Sequence, residues 1–429
     1  MEILQTPISL IDKQEYNKDK KYRWSKYVVK QQDKDNNYVV HNMLNDCIVK
    51  INKSEFIQYK EYMAKNWFFV PIEYNETIDA YKVREKLSIR ETPTFESISS
   101  FTILTTTDCN AQCYYCYEFG RKKIHMTEKI ANDVADFIIK KNDGQEVVLR
   151  WFGGEPLYNE KVIDIITSRL REVGIKYKSS MISNAYLVSE EKVDKYIKDW
   201  GLRNIQITLD GYGDTYNSIK NYIYEEEENA FDRVINNIDT LIRNKIRVSI
   251  RLNLSSINKE DIIKLIEFCG TKWRNNRFFS MYAHNIFDEE KSDDEKFLEQ
   301  IYKDLEEVET IIRKNGVGNR RKKIKRLLKK TVCMGNSGKS VVINPWGQIG
   351  LCEHYSETEM IGNIYKEEYD KKVIDDWNER FDMIDLCEDC PLFPSCYRLK
   401  KCENSFCNKF KKELKIKEIK KTLIKELKK

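Results

Sequence analysis

The chain has 429 residues, 12 cysteines and four histidines, and its 74 Lys and Arg against 69 Asp and Glu leave a formal charge of +5. Ten lysines and three glutamates fall in the last stretch, Asn408 to Lys429, so the rest of the chain is near neutral and is not a nucleic-acid-binding body. No run approaches the roughly 18 apolar residues of a membrane span, and Met1 to Pro7 lacks the cationic and apolar pattern of a signal peptide. Twelve thiols then argue for metal or redox use in a reducing cytoplasm, not for disulfides.

The chain is long enough for two or three domains. Residues 1–95 read as a small α+β block. Tyr27–Lys30 and Tyr38–His41 make a β-hairpin, Asp46–Ile51 a third strand and Trp67–Pro71 a fourth apolar run. Ser54 opens a helix carrying Phe56, Tyr59 and Met63. Asn75 caps another carrying Ile78, Tyr81, Val83 and Leu87. Such a block is either a structural cap or a module that docks a peptide as an added strand. Cys47 stands alone and reads as a small buried hydrophobe.

From 96 to 290 strands alternate with helices. The strand-like runs are Ser100–Thr106, Glu146–Phe152, Lys178–Ser183, Asn204–Leu209, Arg247–Leu254 and Arg277–His284. The helical patterns are Thr127–Lys140, Glu160–Val173, Ser189–Asp199, Glu228–Arg243 and Lys259–Cys269. Six such units predict a parallel α/β sheet, either doubly wound or a partial barrel.

The first strand runs into Cys109-Asn110-Ala111-Gln112-Cys113-Tyr114-Tyr115-Cys116. Three thiolates on one loop can hold three corners of a cubic iron–sulfur cluster and leave the fourth iron free for a small molecule. A structural zinc site wants four closed ligands, and the nearest other Cys or His is His125, nine residues beyond Cys116.

Polar residues recur at the predicted ends of the other strands, where barrel geometry places function. Gly153-Gly154-Glu155 follows the second strand; its glycines let backbone approach a ligand closely, and its carboxylate can accept from an ammonium group. Ser183-Asn184, Asp210-Gly211, Arg251 with Asn253, and His284-Asn285 mark strands three to six. Each also has a plainer reading, as a turn, an inter-strand cation or an Asx-turn.

Residues 291–332 read as a helical connector, with Leu298, Ile301, Leu305, Val308 and Ile311 at helical spacing. It ends in the basic run Arg320 to Arg326, a solvated face or a leader-peptide contact. From 333 to 410 lie Cys333, Cys352, Cys387, Cys390, Cys396, Cys402 and Cys407. Cys333 and Cys352 bracket a hairpin turning at Asn344-Pro345-Trp346-Gly347. Cys387-x2-Cys390 with Cys396 is a knuckle that can hold zinc, but seven thiols exceed one zinc site and approach the eight ligands of two cubic clusters. Residues 411–429 form a basic tail with Ile416, Ile419, Leu423 and Leu427 on one helical stripe.

On these residues the chain resembles the radical S-adenosylmethionine (SAM) superfamily. Cys109-x3-Cys113-x2-Cys116 with Tyr115 before the third cysteine is similar to its signature. The later cysteines are similar to the SPASM extension of its peptide-modifying members, departing from it after Cys396. The resemblance implies a partial (β/α)6 barrel and three [4Fe-4S] clusters, one of them bound to SAM through Cys109, Cys113 and Cys116. It implies reductive cleavage of SAM to a 5′-deoxyadenosyl radical. Tyr115, Gly153, Gly154, Glu155, Ser183, Asn184 and Arg251 would contact SAM, and Asp210 would face the substrate as a proton acceptor or binding group. Cys333, Cys352 and Cys402 would hold one auxiliary cluster with an open site for a substrate thiolate. Cys387, Cys390, Cys396 and Cys407 would hold the other. The implied substrate is a Cys-containing precursor peptide, gripped by the N-terminal block and cross-linked through a thioether or similar bond, with flavodoxin or ferredoxin as electron donor. Formylglycine formation in a sulfatase, peptide epimerisation, and a non-catalytic electron carrier are the alternatives.

Overall fold

The computed structural model describes the chain except for residues 89–92, 117, 119, 121, 225–228, 287–293, 319–325, 330–332, 356–357, 367, 382, 397, 403–406 and 429. It resolves into two compact units. One comprises Met1–Thr92, Arg321–Val332 and Asp376–Lys429; the other comprises Pro93–Arg320 and Cys333–Asp375. These units cut across the sequence boundaries: the cysteine-rich segment expected as one domain over 333–410 is shared between them.

The first unit opens with β1 (Glu2–Gln5), β2 (Tyr22–Trp24), β3 (Val28–Gln32), β4 (Asn37–Asn42), β5 (Ile48–Asn52), α1 (Lys60–Lys65), β6 (Phe69–Pro71) and α2 (Thr77–Leu87). β1, β5, β4 and β3 pair antiparallel in that order. Only the β3–β4 hairpin and β5 are legible from alternation. β1 and β2 are too short to show a period. The helix expected from Ser54 is broken into a 3-10 turn, Lys53–Glu55, and α1. The expected second helix is α2, and its apolar residues do not share one face. Val83 and Leu87 are buried, but Ile78 and Tyr81 are exposed, and Asp79 and Ala80 take the inner face instead.

The second unit is a parallel sheet interleaved with helices. β7 (Ser100–Thr106), α3 (Glu128–Lys141), β8 (Val147–Gly153), α4 (Glu160–Glu172), β9 (Tyr177–Ser183), α5 (Val193–Lys198) and β10 (Leu202–Thr208) come first. α6 (Asp214–Lys220), α7 (Ala230–Arg243), β11 (Arg247–Leu254), α8 (Lys259–Trp273), β12 (Phe279–Asn285) and α9 (Glu295–Lys314) follow. Neighbouring strands from β7 to β12 pair in sequence order, all parallel. This is a partial (β/α)6 barrel. Its strands bury apolar side chains such as Ile103, Leu149, Trp151, Met181, Ile207 and Ile250, because helices cover parallel sheets and leave little wetted surface. α7 packs Phe231, Val234, Ile238 and Leu241 inward.

β13 (Ser340–Ile343) pairs parallel with β7 and antiparallel with β14 (Gln348–Gly350), and β15 (Met360–Asn363) follows on β14. The hairpin turns where expected: Asn344 Oδ1 accepts from the Trp346 and Gln348 amides, and Gly347 takes φ +79°. The hairpin thus extends the barrel sheet. Helix α10 (Lys371–Asn378) runs across the chain position where the units divide. The first unit then resumes with α11 (Asp385–Glu388) and α12 (Lys409–Leu427). α12 is the expected tail helix, capped by Asn408. It buries Leu423 fully, and Ile416, Ile419 and Leu427 partly, in the core formed by Tyr27, Val29 and Val39. The basic run from Arg320 to Lys325 lies outside the described residues. Among them, no helix is long and apolar enough to cross a membrane.

Candidate active site around a cysteine loop

The loop that leaves β7 is held from two sides. On one side stands the turn after β8. Gly154 N donates to Thr106 O at 3.1 Å and Glu155 N to Asp108 O at 2.9 Å. The two glycines make this approach possible. A Cβ on Gly153 would lie 2.1 Å from Thr106 O, and one on Gly154 would lie 2.2 Å from Asp108 O. Gly153 also needs φ +125°, which side chains other than hydrogen rarely allow. The close contact is therefore made first with the root of the cysteine loop. On the other side stands the segment after α6. Gln112 N donates to Lys220 O at 2.9 Å, Ile223 N donates to Asn110 O at 3.0 Å, and Ala111 bridges Tyr222.

The three loop thiols are electrostatic neighbours. Burial pushes the Cys109 thiol up to about 12, with Glu155, Cys113 and Cys116 adding to it. Burial also raises Cys116. Ala111 N points at Cys109 Sγ at 3.4 Å and Asn184 Nδ2 at 3.9 Å. These donors suit a thiolate, whose charge they offset. Among the described residues no three Cys, His, Asp or Glu side chains close on one point as a single ion requires. His125 turns instead to Asp108, at 3.6 Å. The donor set fits a three-thiolate cluster: three sulfurs on one loop, N–H groups aimed at sulfur, and no fourth Cys or His between Cys109 and Cys116.

Glu155 is fully buried. It accepts from Leu157 N at 3.0 Å, Ser183 Oγ at 2.9 Å and Asn184 N at 2.8 Å. Burial raises its carboxyl to about 7, although these three donors pull the other way. Asn184 Nδ2 also donates to Asn110 Oδ1 at 2.7 Å. Ala185 takes a left-handed φ of 62° to complete the turn. Glu155, Ser183 and Asn184, separate motifs in the sequence, are one hydrogen-bonded group beneath Cys109.

Asp210 lies just past β10 with no exposed surface. Its Oδ2 meets Lys220 Nζ at 2.8 Å and accepts from Tyr115 Oη at 2.5 Å, while Oδ1 is buried without a hydrogen-bond partner among the described residues. Lys220 Nζ also reaches Tyr115 Oη at 3.0 Å and Thr208 Oγ1 at 2.6 Å. Burial disfavours the Lys220 charge. The Asp210 carboxylate, with Cys113, Tyr115 and Tyr216 behind it, outweighs that and holds the ammonium well above its ordinary range. Lys220 belongs to no motif, and sequence reasoning missed it. Arg251 pairs with Thr208 across β10 and β11 and accepts at its carbonyl from Leu209 N at 3.1 Å, with its Nε on Asn253 Oδ1 at 2.9 Å and a terminal nitrogen 3.2 Å from His284 Nδ1. Arg251, Asn253 and His284 are thus brought together on β11 and β12.

The later thiols divide. Cys333 and Cys352 flank the β13–β14 hairpin in the second unit. Cys387, Cys390, Cys396, Cys402 and Cys407 lie in the first. Cys390 N donates to Cys387 O at 3.1 Å, closing the knuckle. Burial raises the Cys390 and Cys396 thiols, and Cys407 is an electrostatic neighbour of both. Arg84 donates to the carbonyls of Phe393 at 2.9 Å and Cys396 at 2.6 Å, and its charge faces Cys396 and Cys387. Cys47 and Cys269 are fully buried apart from these groups, Cys269 within α8.

Residues 103–269 match the Radical SAM superfamily. The radical SAM cyclopropyl synthase TigE of Paramaledivibacter caminithermalis is 25% identical over 229 residues, 46% of this chain and 45% of TigE. The match therefore spans less than half of that relative. Among solved structures, anSMEcpe with bound AdoMet superposes at TM-score 0.55 with 18% identity, over 74% of this chain and 95% of that one. Streptococcus suis SuiB bound to precursor peptide SuiA superposes at 0.53 with 13% identity, over 91% of this chain and 99% of that one. Those two likenesses are of fold. The domain at residues 103–269, built around Cys109, Cys113 and Cys116, is thus a radical SAM domain.

Proposed function

We propose that this protein modifies a ribosomally made peptide, forming a thioether or similar cross-link, and that it carries two auxiliary clusters besides the one on the cysteine loop. The observation that carries this reading is the second thiol group, in which Cys387, Cys390, Cys396 and Cys407 share one neighbourhood in the first unit. An enzyme that only cleaves SAM needs no such group. A cross-link, which removes two hydrogens from its substrate, leaves an electron to be accepted. The likeness of fold to SuiB over 91% of the chain, in a structure that holds a precursor peptide, supports the same substrate class.

When bound, a four-iron cluster supplies the electron that splits SAM and so starts hydrogen abstraction from the substrate. The chain's own residues do the rest. Cys109, Cys113 and Cys116 hold the cluster. Ala111 N and Asn184 Nδ2 offset charge on Cys109. Gly153 and Gly154 fix the loop's root. Glu155, Ser183 and Asn184 shape the floor beside it. Arg251 is a cation available to a carboxylate, and Asp210 Oδ1 is a buried acceptor without a partner among the described residues. Cys333 and Cys352, which flank the β13–β14 hairpin of the second unit, are the thiols we assign to a second auxiliary cluster. The first unit, with its antiparallel sheet, is the part we assign to the peptide's leader. A flavodoxin or ferredoxin would supply the electron.

Anaerobic reconstitution followed by SAM and dithionite tests this. The expected result is release of 5′-deoxyadenosine that rises with a Cys-containing precursor peptide, together with a peptide lighter by two hydrogens. Release of none would leave only the electron-carrier reading. A peptide of unchanged mass but inverted configuration at one α-carbon would favour epimerisation.

A further inference from the structure

We infer that Arg84, on α2 of the N-terminal block, is a positioning residue for the auxiliary cluster assigned to Cys387, Cys390, Cys396 and Cys407: it holds the segment carrying Cys396 in the shape that binds metal. This deepens the reading above and rests on it.

The cysteine segment is built from turns. Cys390 N donates to Cys387 O at 3.1 Å, Phe393 N to Cys390 O at 3.0 Å and Cys396 N to Phe393 O at 3.3 Å. The last of these closes a 3-10 turn, Phe393–Ser395, with Cys396 at its C-terminal end. So short a turn has few amides of its own to satisfy its end carbonyls. Arg84 satisfies two of them. Its Nη1 donates to Phe393 O at 2.9 Å and to Cys396 O at 2.6 Å. Its guanidinium carbon also lies 4.5 Å from the centroid of the buried Phe393 ring. The main chain of Arg84 is held from the same segment, since Arg380 Nη1 donates to Arg84 O at 3.1 Å.

Neighbouring residues of the N-terminal block strengthen the grip. The Tyr81 ring meets Phe393 edge-on at 5.2 Å, and its hydroxyl donates to Met383 Sδ at 3.0 Å. Lys26 Nζ donates to Glu388 O at 2.9 Å. All of these residues lie in the first unit. Thiolates on one cluster must converge in a fixed geometry. A loop with loose end carbonyls would lose that freedom on binding metal, at a cost in affinity. Arg84 removes the freedom beforehand. The block assigned above to the leader therefore also forms part of the cluster's site.

The test uses the full-length chain with Cys109, Cys113 and Cys116 replaced by alanine, which leaves auxiliary iron only. After anaerobic reconstitution, Arg84→Met in this background is expected to lower the bound iron to about half, one cluster of two, in a chain that circular dichroism shows to be folded. Arg84→Lys, which keeps a donor, should restore the iron. Lys82→Met, on the exposed side of the same helix, should leave it unchanged. A merely structural role would lower the melting temperature of the iron-free chain while the folded protein kept its iron and its EPR spectrum. That result overturns the inference, as does an iron loss that R84K does not reverse. If R84M fails to fold, hydrogen exchange decides. Amides of α2 should exchange at least about threefold more slowly in the loaded background than in the same chain with Cys387, Cys390, Cys396 and Cys407 also replaced by alanine, while those of α4 exchange alike. Equal exchange in α2 ends the inference. A background chain that binds no iron would overturn the auxiliary-cluster reading first, and the inference with it.

Discussion

Ser183 donates its hydroxyl to the Glu155 carboxylate across 2.9 Å, and that bond ties the end of β9 to the end of β8. Because Glu155 has no exposed surface, its carboxyl sits at about 7 against an ordinary 4.5. Between those values the folded chain keeps a proton that the unfolded chain has lost. Its stabilising effect is therefore complete below about 4.5 and is lost as pH rises to about 7. The amount at stake is about 3 kcal/mol. In the iron-free protein, the stability of wild type relative to Glu155→Gln should fall by that order from pH 5 to 7.5, by denaturant unfolding. A difference that stays flat across the window would refute the assignment. At low pH the variant should itself be weaker by about 1–3 kcal/mol, since its amide N–H group meets the Asn184 N–H.

Gly154→Ala should be far more damaging than its size suggests. The new methyl would stand 2.2 Å from Asp108 O and 3.1 Å from Cys109 N, both backbone. Backbone cannot yield as a flexible side chain does, so the cysteine loop must move, at about 1–3 kcal/mol. Iron–sulfur absorbance after reconstitution should drop with it. Full loading with a normal melting temperature would show that the loop tolerates the displacement.

The second thiol group makes a quantitative demand. Replacing Cys387, Cys390, Cys396 and Cys407 together by alanine should remove about one third of the bound iron, if three cubic clusters are present. Reductive SAM cleavage without peptide should survive, whereas peptide modification should stop. Iron content equal to wild type would eliminate the auxiliary cluster at this position. Cys47→Ala, at a buried thiol held up at about 11 by desolvation, should leave iron content unchanged.

Leu423 places the tail in the core of the first unit with no exposed surface. Leu423→Ala should cost about 2–5 kcal/mol. Lys425→Ala, on the exposed side of α12, should stay within about 0.5 kcal/mol. Thermal unfolding compares the two. Equal melting temperatures would mean that the helix is not docked in solution.

The βα alternation was readable because helix-covered parallel strands are apolar on both faces, so Ser100–Thr106 and Arg247–Leu254 appear as runs with their observed bounds. The cysteine loop and the Asn344–Gly347 turn were readable because their chemistry is local in the chain. The short helix α6 was missed: its seven residues lie between Gly213 at φ +53° and Asn221 at φ +45°, too brief to show a period. Which face of α2 is buried was not legible, because the apolarity of Ile78 and Tyr81 says nothing of what packs against the helix, and both are exposed.

By itself, the sequence determined the six βα units, the three-thiol loop and the hairpin turn, since each depends on residues close together in the chain. Only the tertiary structure decided that β13 joins the barrel sheet beside β7, that the cysteine-rich segment is shared between two units, and that Lys220 is a buried cation against the loop. Those three facts depend on long-range pairing and on where a buried charge finds its partner, and local periodicity carries neither.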